Sequence, residues 1–85
     1  MTNLAFREDG NEMPSYPEEA LREGWEGVVK LKVCFRQGEV TQVTVVESSG
    51  FMILDEAAIA SARKWRLSQY SAFTMTVPVE FRIVD

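Results

Sequence analysis

Histidine is absent from the 85-residue chain, and with it go the commonest general base, the side chain that titrates near neutrality and the commonest zinc ligand. A single cysteine, Cys34, excludes an internal disulfide. The longest unbroken apolar runs, Phe51 to Leu54 and Ala57 to Ala60, hold four residues each. A membrane-spanning helix needs about 18 and a signal-peptide core about 7, so neither is expected. Glycine and proline are sparse, at 5 and 3 residues, too few for a collagen-like or linker-type chain. Positive charge is scarce as well: the net charge is −4, and residues 1 to 26 carry seven acids against Arg7 and Arg22, which leaves a near-neutral remainder. Nucleic acids and anionic membranes require a basic face, so neither is an expected partner.

What is present suits one small globular domain, 46% hydrophobic and 26% charged. A chain of this length buries only about 60% of its unfolded surface, so the core is thin. Residues 1–13, with the turn-forming Asp9-Gly10-Asn11, read as a flexible leader or linker remnant, and residues 14–85 as the domain. Pro17 opens a short helix over Glu18 to Glu23, with acids in its first turn and Gly24 at its end. From Val28 to Arg36 the residues alternate, with Val29, Leu31, Val33 and Phe35 on one side and Lys30, Lys32, Cys34 and Arg36 on the other, the signature of a strand with one buried face. Gln37-Gly38 supplies a tight hairpin turn. The returning strand, Val40 to Glu47, changes apolar parity between Val40 and Val43, which predicts a β-bulge or a strand apolar on both sides.

The period then changes. Leu54, Ala58, Ala62 and Trp65, spaced four, four and three apart, stack on one side of a helix predicted over about 53 to 66. After a loop over residues 68 to 73, Met75, Val77, Val79, Phe81 and Ile83 alternate with Thr74, Thr76, Pro78, Glu80 and Arg82. Pro78 cannot donate a ladder hydrogen bond, so this strand belongs at a sheet edge. The order helix, strand, strand, helix, strand predicts an α+β fold: a three-stranded antiparallel sheet of order 2-1-3 with both helices packed on one face.

No constellation for catalysis emerges. Cys34 lies mid-strand beside Lys30 and Lys32 with no base to activate it, and reads as an ordinary strand residue. Asp55 and Glu56 fall in the first turn of the long helix, where they offset its dipole. Gly24, Gly27 and Gly38 follow no phosphate-binding spacing. No enzyme activity, metal or cofactor is expected. Trp65 reads as a core anchor and Trp25 as packing against the first strand, while Tyr16-Pro17 suits either a docking surface or a lid over the sheet. The edge strand is the remaining functional feature. Phe73 to Val77 carries no charge to guard its free backbone groups, so it suits an added extended peptide, or else is covered by the N-terminal segment or by a second copy of the chain.

Tyr16-Pro17, Gly27 before the alternating strand, Gly38-Glu39-Val40, Val45-Val46-Glu47-Ser48-Ser49-Gly50, Leu54-Asp55-Glu56-Ala57-Ala58 and Trp65-Arg66 together resemble the C-terminal domain of TonB-type energy transducers, over about residues 14 to 84. The resemblance implies a non-enzymatic periplasmic domain of an inner-membrane-anchored protein. Such a domain couples a proton-driven inner-membrane complex to outer-membrane transporters for iron chelates such as siderophores, cobalamin and similar nutrients. It holds the transporter's TonB-box peptide as a strand added to the third strand. Carried onto this chain, the partner-binding positions are Phe73, Thr74, Met75, Thr76, Val77 and Val79, with Met13, Pro14, Ser15, Tyr16 and Pro17 alongside. Gly27, Gly38, Ser49, Gly50, Leu54, Asp55, Ala58, Trp65 and Arg66 are the motif's structural positions. The alternative is a structural or self-associating envelope adaptor, a homodimer included, that uses the same edge.

Overall fold

The computed structural model describes residues 14–66 and 72–84. Five elements follow in the order α1 (Glu18–Glu23), β1 (Gly27–Arg36), β2 (Glu39–Glu47), α2 (Met52–Ala62) and β3 (Phe73–Phe81). The three strands form one antiparallel sheet with β1 in the middle, order β2-β1-β3. This is the α+β architecture that the alternating strands and the single apolar helix stripe dictate.

β1 pairs with β2 through a two-residue turn whose central residues, Gln37 and Gly38, both have positive φ, 54° and 83°. That is the type I′ geometry whose twist matches a hairpin. The expected bulge is present: Phe35 faces Val40 while Cys34 faces Gln42, so Thr41 has no partner and Val40 and Val43 turn to the same side. A second irregularity, unforeseen, lies between Lys30 and Leu31, where Val46 is the extra residue. The neighbouring pair Val45-Val46 breaks alternation in the same way that Val40 to Val43 does, so the signal was there to read.

The buried layer lies on one face of the sheet. Val29, Leu31, Val33 and Phe35 of β1 and Val77, Val79 and Phe81 of β3 meet Leu54, Ala58, Ala62 and Trp65, together with Ala20 of α1 and Tyr16. The opposite face carries Lys32, Arg36, Thr74 and Thr76, all exposed.

The ends of α2 and β3 differ from those expected. α2 stops at Ala62 and does not reach residue 66. Beyond Arg63 the hydrogen bonds tighten to i→i−3, from Lys64 N–H to Ser61 O and from Trp65 N–H to Ala62 O, each 3.1 Å. At three residues per turn, positions i and i+3 eclipse, so the tightening sets Trp65 above Ala62 and buries it to 1% exposure. β3 begins at Phe73, already paired with Phe35, and ends at Phe81. Ile83 lies past the strand, its N–H bonded to the Glu26 carboxylate at 2.7 Å. Finally, Trp25 stacks on Phe51 at the start of α2, with ring centroids 5.0 Å apart and planes 14° apart. The stacking comes in addition to the packing of Trp25 against the core layer that β1 lines.

Candidate functional site

Register decides which backbone groups β3 offers. In an antiparallel pair a residue's N–H and C=O point to the same side, and the side alternates along the strand. Arg36 and Glu39 close the two-residue turn as a pair, which in such a hairpin is a hydrogen-bonded one. Even-numbered residues of β1 therefore face β2 and odd-numbered ones face β3. Across the unbroken register from Gly27↔Phe81 to Phe35↔Phe73, the odd-numbered residues of β3 bond to β1 and the even-numbered ones point outward. Thr74 and Thr76 thus present an outward N–H and C=O at the outer edge, and Pro78, opposite Lys30, presents a carbonyl only. Among the described residues no strand pairs with that edge.

Side chains divide the strand a second time. Phe73 is 43% exposed and Met75 half-buried, whereas Val77 and Val79 are 5% and 0% exposed. The first half of β3 runs out past the core with an apolar ring in solvent; the second half is held on both its buried face and its β1 side. The outer edge of β2 is different. It carries two bulges, and a backbone bridge from Arg66 to Glu39 occupies its start. Bulges and coverage of this kind discourage strand addition. The two margins of the sheet are therefore unequal.

Gly27, Ser49, Gly50 and Asp55 gather where β1, β2 and α2 meet, while Gly38 and Arg66 lie at the hairpin end of the sheet. Asp55 accepts hydrogen bonds from Ser49 N–H at 3.0 Å, from Ser49 Oγ at 2.7 Å and from the Ser48 hydroxyl. Burial pushes its pKa up, but these hydrogen bonds outweigh burial and leave the carboxyl below its ordinary value. The loop so held lies hard against Gly27, where an added Cβ would come within 2.9 Å of Ser49 O; only glycine lets the backbones approach this closely. Leu54, Ala58 and Trp65 seat the helix in the core, Gly38 turns the hairpin, and Gly50 follows the bonded serines with its N–H on Ser48 Oγ at 3.0 Å.

A second corner joins the chain's beginning to its end. The Tyr16 hydroxyl donates to Trp25 O, and its ring meets Phe81 edge-on at 5.3 Å. Burial, and then the nearby Glu26 carboxylate, raise the Tyr16 pKa, which keeps the donor protonated. Pro14 is buried, Ser15 exposed and Pro17 half-buried, while Met13 lies outside the described residues. The structure thus brings Phe73 to Thr76 to an open margin and sets Tyr16, Val77 and Val79 inside. The Tyr16 clasp to Trp25 and Phe81 had no local signal in the sequence, because its partners come from positions 9 and 65 residues away. Among the described residues no three His, Cys, Asp or Glu side chains cluster as a metal site would require.

Comparison with known proteins gives the same family as the motifs. The family model described as "Gram-negative bacterial TonB protein C-terminal" matches residues 12–83. The chain is 34% identical over 80 residues to Protein tonB2 of Pseudomonas aeruginosa, covering 86% of this chain and 30% of that protein. It is 40% identical over 77 residues to Protein TonB of Xanthomonas campestris pv. campestris, covering 82% of this chain and 34% of that protein. The chain therefore spans about a third of the length of these relatives.

Proposed function

The chain belongs to the Gram-negative bacterial TonB C-terminal family, and from that premise we infer that it is a non-enzymatic transduction module that captures an extended peptide on the outer edge of β3. The peptide is the periplasmic TonB box of an outer-membrane transporter. The force comes from a proton-driven inner-membrane complex, reached through a membrane-anchored portion of the protein. The reading is supported above all by the unequal margins: among the described residues, of two sheet edges only β3 offers outward N–H and C=O groups free of bulges.

Within this reading Thr74 and Thr76 supply the main-chain hydrogen bonds, while Phe73 and Met75 supply apolar contact that selects the peptide's side chains. Pro78, lacking a donor, ends the paired stretch. Met13, Pro14, Ser15 and Pro17 flank the peptide, and Tyr16, Val77 and Val79 act by holding the frame. The test is titration of isotope-labelled protein with transporter N-terminal peptides. Amide shifts should concentrate between Phe73 and Val77 and be largest at Thr74 and Thr76; shifts confined to β2 or α2 overturn the reading. A second copy competing for the same edge would show as a concentration-dependent mass in sedimentation that the peptide dissolves.

A further inference from the structure

Tyr16 is the first aromatic of the described residues, and what it holds determines how tension applied at the N-terminal side enters the fold. Its hydroxyl bonds to Trp25 O, nine residues on, and its ring rests on Phe81 at the end of β3. The segment it bridges contains α1, a helix of six residues, far below the length at which a helix is stable by itself. Beyond the bridge, Gly27 is already paired with Phe81, and Glu26 holds Ile83. Residue 16, the start of β1 and the end of β3 therefore meet at one corner.

We propose that Tyr16 is a positioning residue that passes tension from the N-terminal segment directly to the β1–β3 corner, leaving α1 outside the path. Without it, a pull delivered at residue 16 travels through α1, which unravels before β1 is loaded. With it, the pull reaches the nine-pair β1–β3 ladder while the helix stays slack. The functional meaning rests on the peptide-capture reading, because β3 is the strand that would hold the partner.

Single-molecule stretching of the full chain tests this without any peptide, so its failure is distinct from failure of peptide capture. One handle is placed at the N-terminus and one at Thr76→Cys, in a Cys34→Ser background. The unaltered Tyr16 should give a single rupture. Tyr16→Ala should add an early, low-force lengthening of about 20–30 Å as the nine-residue bridge opens at ~3.3–3.6 Å per residue. Tyr16→Phe keeps the ring on Phe81 and removes only the hydroxyl, and should bring the same lengthening at an intermediate force even if the alanine variant fails to fold. A control with handles at Glu47→Cys and Thr76→Cys loads the sheet without the N-terminal segment, and there the two variants should match the parent. The proposal is overturned if the parent shows the early step at the variants' force. It is equally overturned if the variants weaken both geometries alike, which is what a merely structural tyrosine would do.

Discussion

At Asp55 two opposing influences act on one carboxyl group, and their balance sets a pH dependence. Burial raises its pKa and the three hydrogen bonds from Ser48 and Ser49 lower it by more. A folded value below the unfolded one, about 3.9 for aspartate, means that ionised Asp55 stabilises the native state at every pH above that value. The contribution is lost as pH falls below it and through the lower folded value. Denaturant midpoints measured between pH 7 and pH 2.5 should therefore drop more steeply for the parent than for Asp55→Asn, which has no carboxyl to protonate. Trp65 poses a simpler question of volume. At 1% exposure in the centre of the layer, its replacement by alanine leaves a cavity, and Trp65→Ala should cost about 3–5 kcal/mol in urea unfolding. A loss below about 1 kcal/mol would mean that the ring is not core.

Among the elements, β3 separates what hydrophobic pattern conveys from what it does not. Alternation and Pro78 alone place the strand at an edge, and the bulge at Thr41 follows from the parity change between Val40 and Val43. The same pattern treats Phe73, Met75, Val77 and Val79 as equivalent. The structure does not: Phe73 is exposed and Met75 half-buried while Val77 and Val79 are buried, a gradient set by what packs over each position and not by the strand's own alternation. Helix length was the weaker reading, since a stripe at spacing four, four, three fits a tightened last turn as well as a continuing helix. The Ser-Ser-Gly and Leu-Asp-Glu series was visible as a motif, yet its purpose, three hydrogen bonds to Asp55 against a glycine on β1, depends on contacts that no local window contains. The register of β3 also yields a paired mutation. Thr76→Pro removes an outward N–H and leaves the β1 ladder whole, so the variant should fold and lose peptide binding. Val77→Pro removes a donor to β1 and should unfold the domain. Circular dichroism and the peptide titration, run on both, distinguish the two results; a folded, peptide-binding Thr76→Pro would contradict the assignment of the outer edge.

For the molecule as a whole, the binding surface and the stability are one thermodynamic object. A peptide that adds a strand binds only the folded sheet, so free peptide at a hundredfold excess over its Kd should raise unfolding free energy by about 2.7 kcal/mol. Thermal unfolding at increasing peptide concentration measures this, and a Tm that stays constant while amide shifts saturate would show binding to the unfolded chain as well. The unequal margins carry a further consequence. A sheet with two receptive edges is a bifunctional monomer, able to accept a strand on one side and offer one on the other, and such units polymerise into fibrils. With two bulges and the Arg66 bridge on β2, this sheet has a valence of one. Whatever pairs with β3 terminates the growth, so the edge proposed to capture an extended peptide is kept from becoming a seed for aggregation.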